Sequence, residues 1–103
     1  MAGKRVVIWG AGSKGVSFLT TLGLSDEIAC AVDVNPHLSG MFIPGSGHEI
    51  VEPARLSNYE PDIVIVMNPI YRHEIEAQLA GLGMQPRVLG VSDHAGRLGG
   101  RPS

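Results

Sequence analysis

Residues 6–15 read VVIWGAGSKG, and this stretch decides the fold. Its four leading apolar residues predict a strand buried on both faces, as in a parallel sheet. The glycines that follow have the spacing G-x-G-x-x-G, in which a tight turn leads from a strand into a helix N-terminus. The next apolar run ends at Asp33, so the order is strand, glycine loop, helix, strand, acid. This order is typical of a βαβ unit that binds a nucleotide.

Strand-like and helix-like segments alternate along the rest of the chain. Strands are predicted over Lys4–Trp9, Ile28–Val34, His48–Val51, Asp62–Met67 and Arg87–Val91. Helices are predicted over Ser13–Leu22, with Val16, Leu19 and Leu22 facing the core, and over 69–82, with Ile75, Leu79 and Leu82 facing it. Residues 37–48 predict a loop or hairpin, and Pro53–Leu56 a helical turn. This alternation predicts an α/β, Rossmann-like three-layer domain with a mostly parallel sheet of about five strands in the order 3-2-1-4-5.

The chain has 103 residues and a formal net charge of −2, which bounds its class. Its length predicts one domain over residues 1–94, and the glycine-rich end over 95–103 predicts a flexible tail. No basic stripe is present, so a nucleic acid is not an expected partner. No apolar run could span a bilayer and no signal peptide is evident, so a membrane is not expected either. Cys30 is the one cysteine, which is typical of a reduced, cytoplasmic protein.

Neither a metal site nor a catalytic site is predicted. The four histidines lack a second His, Cys or acid at zinc-type spacing. The sequence has no G-x-S-x-G turn, no cysteine with an evident base and no acid pair of defined spacing. We therefore expect a binding module that is not catalytic by itself.

The predicted sheet reverses its strand order between the first and fourth strands. Ligands of such sheets bind outside the carboxyl ends of the strands at this switch point. Residues 10–15 and 67–72 follow the two strands that meet there, and both lead into helix N-termini with unpaired N–H groups. Two converging helix N-termini favour a pyrophosphate or a similar anion.

The candidate ligand-binding residues are Gly10, Gly12, Ser13, Lys14, Gly15, Asp33, Asn35, Asn68 and Arg72. We expect Gly10 to permit the tight turn, Gly12 to let the backbone approach a phosphate, and Gly15 to pack the helix on the strand. Lys14 would oppose the helix dipole by roughly 0.3–1 kcal/mol unless a phosphate lies opposite it; the alternative is a solvated lysine. Arg72 would also suit a phosphate.

Asp33 and Asn68 each have two interpretations. Asp33 could accept hydrogen bonds from a ribose diol, or it could bond nearby backbone in the turn-forming run Asp33–Pro36. Asn68 stands before a proline and predicts a helix N-cap, which could also contact a ligand. Among Tyr71–His73, at least one side chain should reach the crevice, and His73 by itself is expected in solvent.

Three longer blocks resemble one known family. They read VVIWGAGSKGVSFL from residue 6, VDVNPHLSGMFIPGSGHEI from residue 32 and PDIVIVMNPIYRHEI from residue 61. Over about residues 5–92 the chain resembles the C-terminal domain of S-adenosylmethionine (SAM)-dependent sugar C-methyltransferases. The middle block is the most specific, because D-x-N-P followed by G-x-x-x-P-G has little reason to occur in a generic Rossmann domain.

The resemblance implies a Rossmann-like domain that helps to hold a nucleotide-sugar substrate. In the family, a zinc-binding domain and then a methyltransferase domain precede it along the chain. It implies a site shaped by Gly10, Gly12, Lys14, Gly15, Asp33 and Asn35, with Asn68 where the family has an asparagine after the fourth strand. The family's zinc cysteines and methyl-donor domain are not in this sequence. The usual methyl-donor loop reads G-x-G-x-G and follows an acidic residue. In this chain Lys14 replaces the last glycine of that loop, and Trp9 replaces the acidic residue. The resemblance therefore implies that SAM binds only through a domain absent from this chain.

Three functions stay open at this point. The first is a nucleotide-sugar-binding module that works with a catalytic methyltransferase domain or chain, favoured by Lys14 and the D-x-N-P block. The second is a small NAD(H)-binding domain of an oxidoreductase or redox sensor, favoured by the complete glycine motif and Asp33. The third is a ligand-free interaction scaffold, marked by an exposed apolar patch and an empty crevice. The short third strand could also pair with a second copy of the chain in a homo-oligomer.

Overall fold

The computed structural model describes residues 4–91. Its strands are β1 (Val6–Trp9), β2 (Ile28–Val32), β3 (Ile50–Val51), β4 (Ile63–Val66) and β5 (Arg87–Gly90). Its α-helices are α1 (Ser13–Thr21) and α2 (Arg72–Gly81), and 3₁₀ helices cover Pro53–Asn58 and Pro69–Tyr71. The predicted tail over 95–103 and the predicted end of the domain at residue 94 lie outside the described residues.

The strands form one parallel sheet in the order β3-β2-β1-β4-β5, which confirms the predicted Rossmann-like architecture. β1 lies in the centre, where Val7 pairs with Val64 of β4 and Ile8 pairs with Ala31 of β2. The chain moves outward from β1 in one direction and then in the other. Right-handed crossovers therefore place α1 and α2 on opposite faces, and the carboxyl ends of β1 and β4 border an open crevice.

The core lies on both faces of the sheet, because successive side chains of a strand point to opposite faces. On one face the strands pack against Ile75 and Leu79 of α2 and against Leu56. On the other face they pack against Leu19 of α1 and Ile43 of the loop before β3. Burial on both faces is the physical reason for the uninterrupted apolar runs in the strands.

Both helices end before the last predicted core residue. α1 ends at Thr21, and Leu22 is 59% exposed. Leu82 follows the end of α2 and is 37% exposed. The predicted core positions of Leu22 and Leu82 are therefore wrong. Each leucine is a helix C-cap. The next residue, Gly23 or Gly83, adopts a positive φ that ends the helix.

Residues 37–48 form the predicted loop, and this loop covers the outer edge of β3. The N–H of Gly40 donates to the carbonyl of Ile50, and the N–H of Ile50 donates to the carbonyl of Met41, each at 2.8 Å. Both outward-facing backbone groups of Ile50 are therefore paired within the chain. The prediction that this edge is open to a second copy is wrong, because the loop acts as the missing neighbour.

His48 holds the loop against the turn between α1 and β2. Its Nε2 lies 2.7 Å from the carbonyl oxygen of Ser25, which only accepts, so Nε2 carries a proton. Its Nδ1 lies 2.8 Å from the hydroxyl oxygen of Ser46. The buried ring is thus engaged at both nitrogens and joins two loops that are distant in sequence.

Cys30 is fully buried in the middle of β2. Burial, with a smaller contribution from the carboxylate of Glu49, raises the pKa of its thiol to about 12. The thiol is therefore protonated at neutral pH and packs as a small apolar side chain.

Candidate functional site

A cavity of about 520 Å³ opens at the carboxyl ends of β1 and β4, between the glycine loop and α2. Its size is in the range of small-molecule sites. Its apolar lining consists of Trp9, Val34, Val66, Met67 and Ile75. Its polar lining consists of Ser13, Lys14, Asp33, Asn68, Tyr71, Glu74 and Gln78, together with Gly10, Gly12 and Gly15. A crevice is therefore present at the switch point of the sheet.

Gly10 makes the tight turn that leads out of β1. Its φ is +126°, which other residues rarely adopt, and its N–H donates to the carbonyl of Val32 at 2.7 Å. A Cβ built on Gly10 would lie 2.9 Å from the Cβ of Met67. The loop passes so close to the end of β4 that only glycine fits.

Gly15 and Gly12 differ in what surrounds them. A Cβ built on Gly15 would overlap the carbonyl oxygen of Gly10 and approach Ile8, so the helix rests directly on the loop. A Cβ built on Gly12 would meet no atom within 4 Å, and its backbone has an ordinary negative φ. Folding therefore requires a glycine at position 15, while the bare backbone at Gly12 leaves open space beside the N-terminus of α1.

The N-terminus of α1 borders the cavity. Gly12 is its N-cap, no side chain caps it, and its first turn contains no acid. Lys14 is exposed on the cavity wall and forms no ion pair within residues 4–91, and Ser13 lies beside it. Free N–H groups, the partial positive charge of the helix and an ammonium group thus meet in one place. This combination favours an anion.

The N-terminus of α2 differs from that of α1, although the sequence predicts two equivalent anion-binding ends. The 3₁₀ turn Pro69–Tyr71 comes first, and the N–H of Tyr71 already donates to the carbonyl of Asn68 at 3.1 Å. Glu74 lies in the first turn of α2, where a carboxylate interacts favourably with the positive end of the helix dipole. The two helix ends are therefore not equivalent, and anion binding at the N-terminus of α2 stays a prediction.

Asp33 braces the glycine loop against the end of β2. Its Oδ2 accepts the N–H of Ala11 at 2.9 Å, and its Oδ1 accepts the N–H of Asn35 at 2.9 Å. The turn interpretation of Asp33 is therefore correct, and the turn is tied to the loop that borders the cavity. Each carboxylate oxygen keeps a further lone pair, so a contact from Asp33 to a ribose stays a prediction.

Two predicted site residues lie outside the cavity. Asn35 is exposed, and its Oδ1 accepts the N–H of His37 at 3.0 Å in an Asx turn. The guanidinium of Arg72 donates to the carbonyl of Val88 at 3.0 Å and pairs with Glu76 at 3.4 Å. The expectation that Arg72 faces the crevice is wrong, because α2 begins at Arg72 with this side chain directed toward β5.

Asn68 and Tyr71 reach the cavity. Asn68 is the N-cap residue of the 3₁₀ turn, with Pro69 after it as the sequence predicts, but its side chain makes no cap hydrogen bond; a contact from Asn68 to a ligand stays a prediction. Among Tyr71, Arg72 and His73, Tyr71 is the residue that lines the cavity. The side chain of His73 is 98% exposed, as expected for a solvated residue.

Sequence reasoning missed the contribution of α2 to the site. Glu74, Ile75 and Gln78 line the cavity together with Tyr71. These positions have the spacing i, i+3, i+4 and i+7, which places them on one side of a helix. The signal was therefore present in the helical period, but it could be used only once the phase of α2 on the sheet was known.

Two structural observations bear on other classes of site. Within residues 4–91, no group of three His, Cys, Asp or Glu side chains lies close enough together to hold a metal ion. None of the helices in that same range is long and apolar enough to cross a bilayer.

We expect Asp33→Asn to lower the free energy of unfolding by about 1 kcal/mol. An amide can offer an acceptor to only one of the two N–H groups that the carboxylate now satisfies. Urea unfolding followed by the fluorescence of the single tryptophan, Trp9, measures this. Asp26→Asn makes the same change at an exposed residue that forms no side-chain hydrogen bond within residues 4–91, and it should cost less than about 0.5 kcal/mol. Equal stability of the two variants would contradict the proposal that the Asp33 carboxylate stabilises the glycine loop through its hydrogen bonds.

The profile of one protein family covers most of the chain. It is described as the C-methyltransferase C-terminal domain, and it matches residues 1–86. The chain belongs to this family. The resemblance seen in the glycine loop and in the D-x-N-P block is thereby confirmed. A comparison with curated protein sequences finds no match.

Solved structures similar to this C-methyltransferase C-terminal domain show the same fold. UDP-D-quinovosamine 4-dehydrogenase from Vibrio fischeri aligns with a TM-score of 0.63 and 20% identity, over 91% of this chain and 85% of that one. RSP, a Rex-family repressor, aligns with a TM-score of 0.58 and 15% identity, over 93% of this chain and 57% of that one. RSP in complex with β-NAD+ and operator DNA gives a TM-score of 0.58 at 16% identity. The domain thus spans little more than half of the repressor, and the likeness concerns its Rossmann-like fold.

Proposed function

We propose that this domain binds a nucleoside-diphosphate sugar for a SAM-dependent C-methyltransferase, whose catalytic groups belong to another domain or another chain. The observation that carries the proposal is the N-terminus of α1, where Gly12 and Lys14 border the cavity with no acid in the first turn. Membership of the C-methyltransferase C-terminal domain family supports the same assignment. The domain itself would hold substrate rather than SAM.

The diphosphate would lie against the glycine loop. The bare backbone at Gly12 leaves room beside the N–H groups of the α1 N-terminus, and Lys14 is the one cationic side chain that lines the cavity among residues 4–91. Hydrogen bonds between charged groups and phosphate oxygens typically contribute about 1.5–3 kcal/mol each. Ser13 adds a hydroxyl donor beside them, and Asn68, just after β4, lines the same cavity.

NAD(H) is the second candidate ligand. The complete G-x-G-x-x-G motif and the position of Asp33 on the cavity favour it, because such an acid accepts hydrogen bonds from an adenosine ribose in dinucleotide-binding domains. Both carboxylate oxygens of Asp33 already accept backbone N–H groups, which weakens this reading. The site assignments of Gly10, Gly15 and Asn68 are common to both ligands.

An amide-NMR titration of the domain with a nucleoside-diphosphate sugar, NAD+ and SAM in parallel tests the proposal. We expect shifts at Gly12, Ser13, Lys14 and Asn68 with the sugar nucleotide only. Gly12→Ala is the matched variant, because its Cβ meets no protein atom but occupies the space proposed for phosphate; it should keep the fold and lose the response. Shifts with NAD+ that include Asp33 would favour the dinucleotide, and no shift with any compound would favour a scaffold.

A further inference from the structure

One wall of the cavity is built from a single helix face and carries chemistry unlike that of the glycine loop. Tyr71, Glu74 and Gln78 lie at i, i+3 and i+7 along the start of α2 and all line the cavity, and Asn68 precedes them. This α2 wall offers a phenol, a carboxylate and two carboxamides. No lysine or arginine on α2 lines the cavity, since Arg72 is bonded to Glu76 and to the carbonyl of Val88.

Glu74 is the charged group of this wall. It is exposed and forms no ion pair within residues 4–91, whereas the two cationic or titratable neighbours on its helix, Arg72 and His73, both pair with Glu76. Its carboxylate oxygens therefore keep lone pairs for whatever occupies the cavity. It lines the same cavity as Lys14.

The α2 wall suits a polyhydroxylated group. Carboxylate and carboxamide oxygens accept hydrogen bonds from hydroxyls, the carboxamide nitrogens donate to them, and the face of an aromatic ring packs against C–H groups. The same wall repels an anion, because a second negative charge near Glu74 has no protein cation on α2 to offset it.

We propose that the α2 wall binds the glycosyl group of the ligand, and that Glu74 selects neutral and amino sugars over sugars that carry a carboxylate. This inference rests on the proposed function, since it presumes that the diphosphate occupies the glycine loop. It assigns the phosphate to the glycine loop, where Lys14 lies with Asp33 bonded to the N–H of Ala11, and the sugar to the α2 wall, where Glu74 is the charged group.

The experiment compares the glucose, glucosamine and glucuronate esters of one nucleoside diphosphate by isothermal calorimetry. The nucleoside diphosphate is chosen beforehand by amide NMR: of ADP, GDP, CDP, UDP and dTDP, it is the one that most strongly shifts the amide signals of Gly12 and Lys14. For the unmodified domain we expect the glucuronate to bind about tenfold more weakly than the glucose ester, and the glucosamine ester to bind more tightly than both. In Glu74→Gln, which keeps the hydrogen-bonding shape, the three affinities should come within about threefold of one another.

Glu60→Gln is the matched control, because Glu60 is exposed and precedes β4 at the opposite end of the sheet. It removes the same charge and should leave the order of the three affinities unchanged. A purely structural role of Glu74 at the helix N-terminus would change the free energy of unfolding without changing the ratio between esters.

The outcomes separate the two proposals. If none of the five nucleoside diphosphates shifts the glycine loop, the proposed function and this inference both fail. If one of them binds but the unmodified domain holds its glucose and glucuronate esters equally, only the role of Glu74 is overturned. The same holds if Glu74→Gln and Glu60→Gln change the three affinities alike.

Discussion

Gly15→Ala should lower the free energy of unfolding by about 3 kcal/mol or prevent folding altogether. The added Cβ would overlap the carbonyl oxygen of Gly10, which is a backbone atom in a turn whose φ of +126° is already restricted. Neither atom can rotate away as the end of a flexible side chain could. Relief requires α1 to lift from the loop, which would also uncover Leu19 and Ile8 in the core. Urea unfolding followed by Trp9 fluorescence measures the loss.

Gly12→Ala provides the control for this prediction, three residues away in the same motif. Its Cβ would meet no atom within 4 Å, so the cost should be no more than about 1 kcal/mol, the difference between glycine and alanine at an N-cap. If the two variants lose the same stability, the contact between Gly15 and Gly10 does not have the role assigned to it. The comparison separates the glycine needed for folding from the one proposed to face the ligand.

Lys14→Ala should weaken the binding of a nucleoside-diphosphate sugar by about 2 kcal/mol, or roughly 30-fold, while leaving the domain slightly more stable. The loss of affinity follows from removing the one cationic side chain that the described part of the chain, residues 4–91, contributes to the cavity lining. The gain in stability follows because a lysine in the first turn of a helix opposes its dipole by about 0.3–1 kcal/mol. Calorimetric titration and urea unfolding of the same preparation measure both quantities.

Lys4→Ala is the control for Lys14→Ala. Lys4 is exposed and precedes β1, at the end of the sheet opposite the cavity, so its removal changes the net charge equally without touching the site. Its affinity for the sugar nucleotide should stay within about twofold of the unmodified domain at 0.15 M salt, because separated exposed charges are largely screened. An unchanged affinity in Lys14→Ala would remove Lys14 from the site, even if the ligand still binds.

The strands and their order were predictable because their signals are local. Each strand is an apolar run bounded by a glycine, a proline or polar residues, and a chain that alternates strands with helices has few allowed connections. The helix ends were less predictable. Leu22 and Leu82 continue the apolar spacing of their helices, yet Gly23 and Gly83 turn the chain before either leucine reaches the sheet.

The composition of the site was only partly predictable, and Arg72 shows why. A residue of an α-helix is rotated by about 100° from its neighbour, so the phase of the helix decides which side chain faces a ligand. The 3₁₀ turn Pro69–Tyr71 and the packing of Ile75 and Leu79 set that phase. They direct Arg72 to Val88 and bring Tyr71, with the rest of the α2 wall, to the cavity.

By itself the sequence determined that this chain is a parallel α/β domain with a glycine loop and a crevice beside it, because apolar runs, glycines and helical spacing act over a few residues. The tertiary structure decided which side chains share that crevice. Asp33, after β2, accepts the N–H of Ala11, after β1; a Cβ on Gly15 would meet the carbonyl oxygen of Gly10; and Glu74 lines the same cavity as Lys14. These relations depend on strand register and helix phase, which packing of the whole core sets and no short segment encodes.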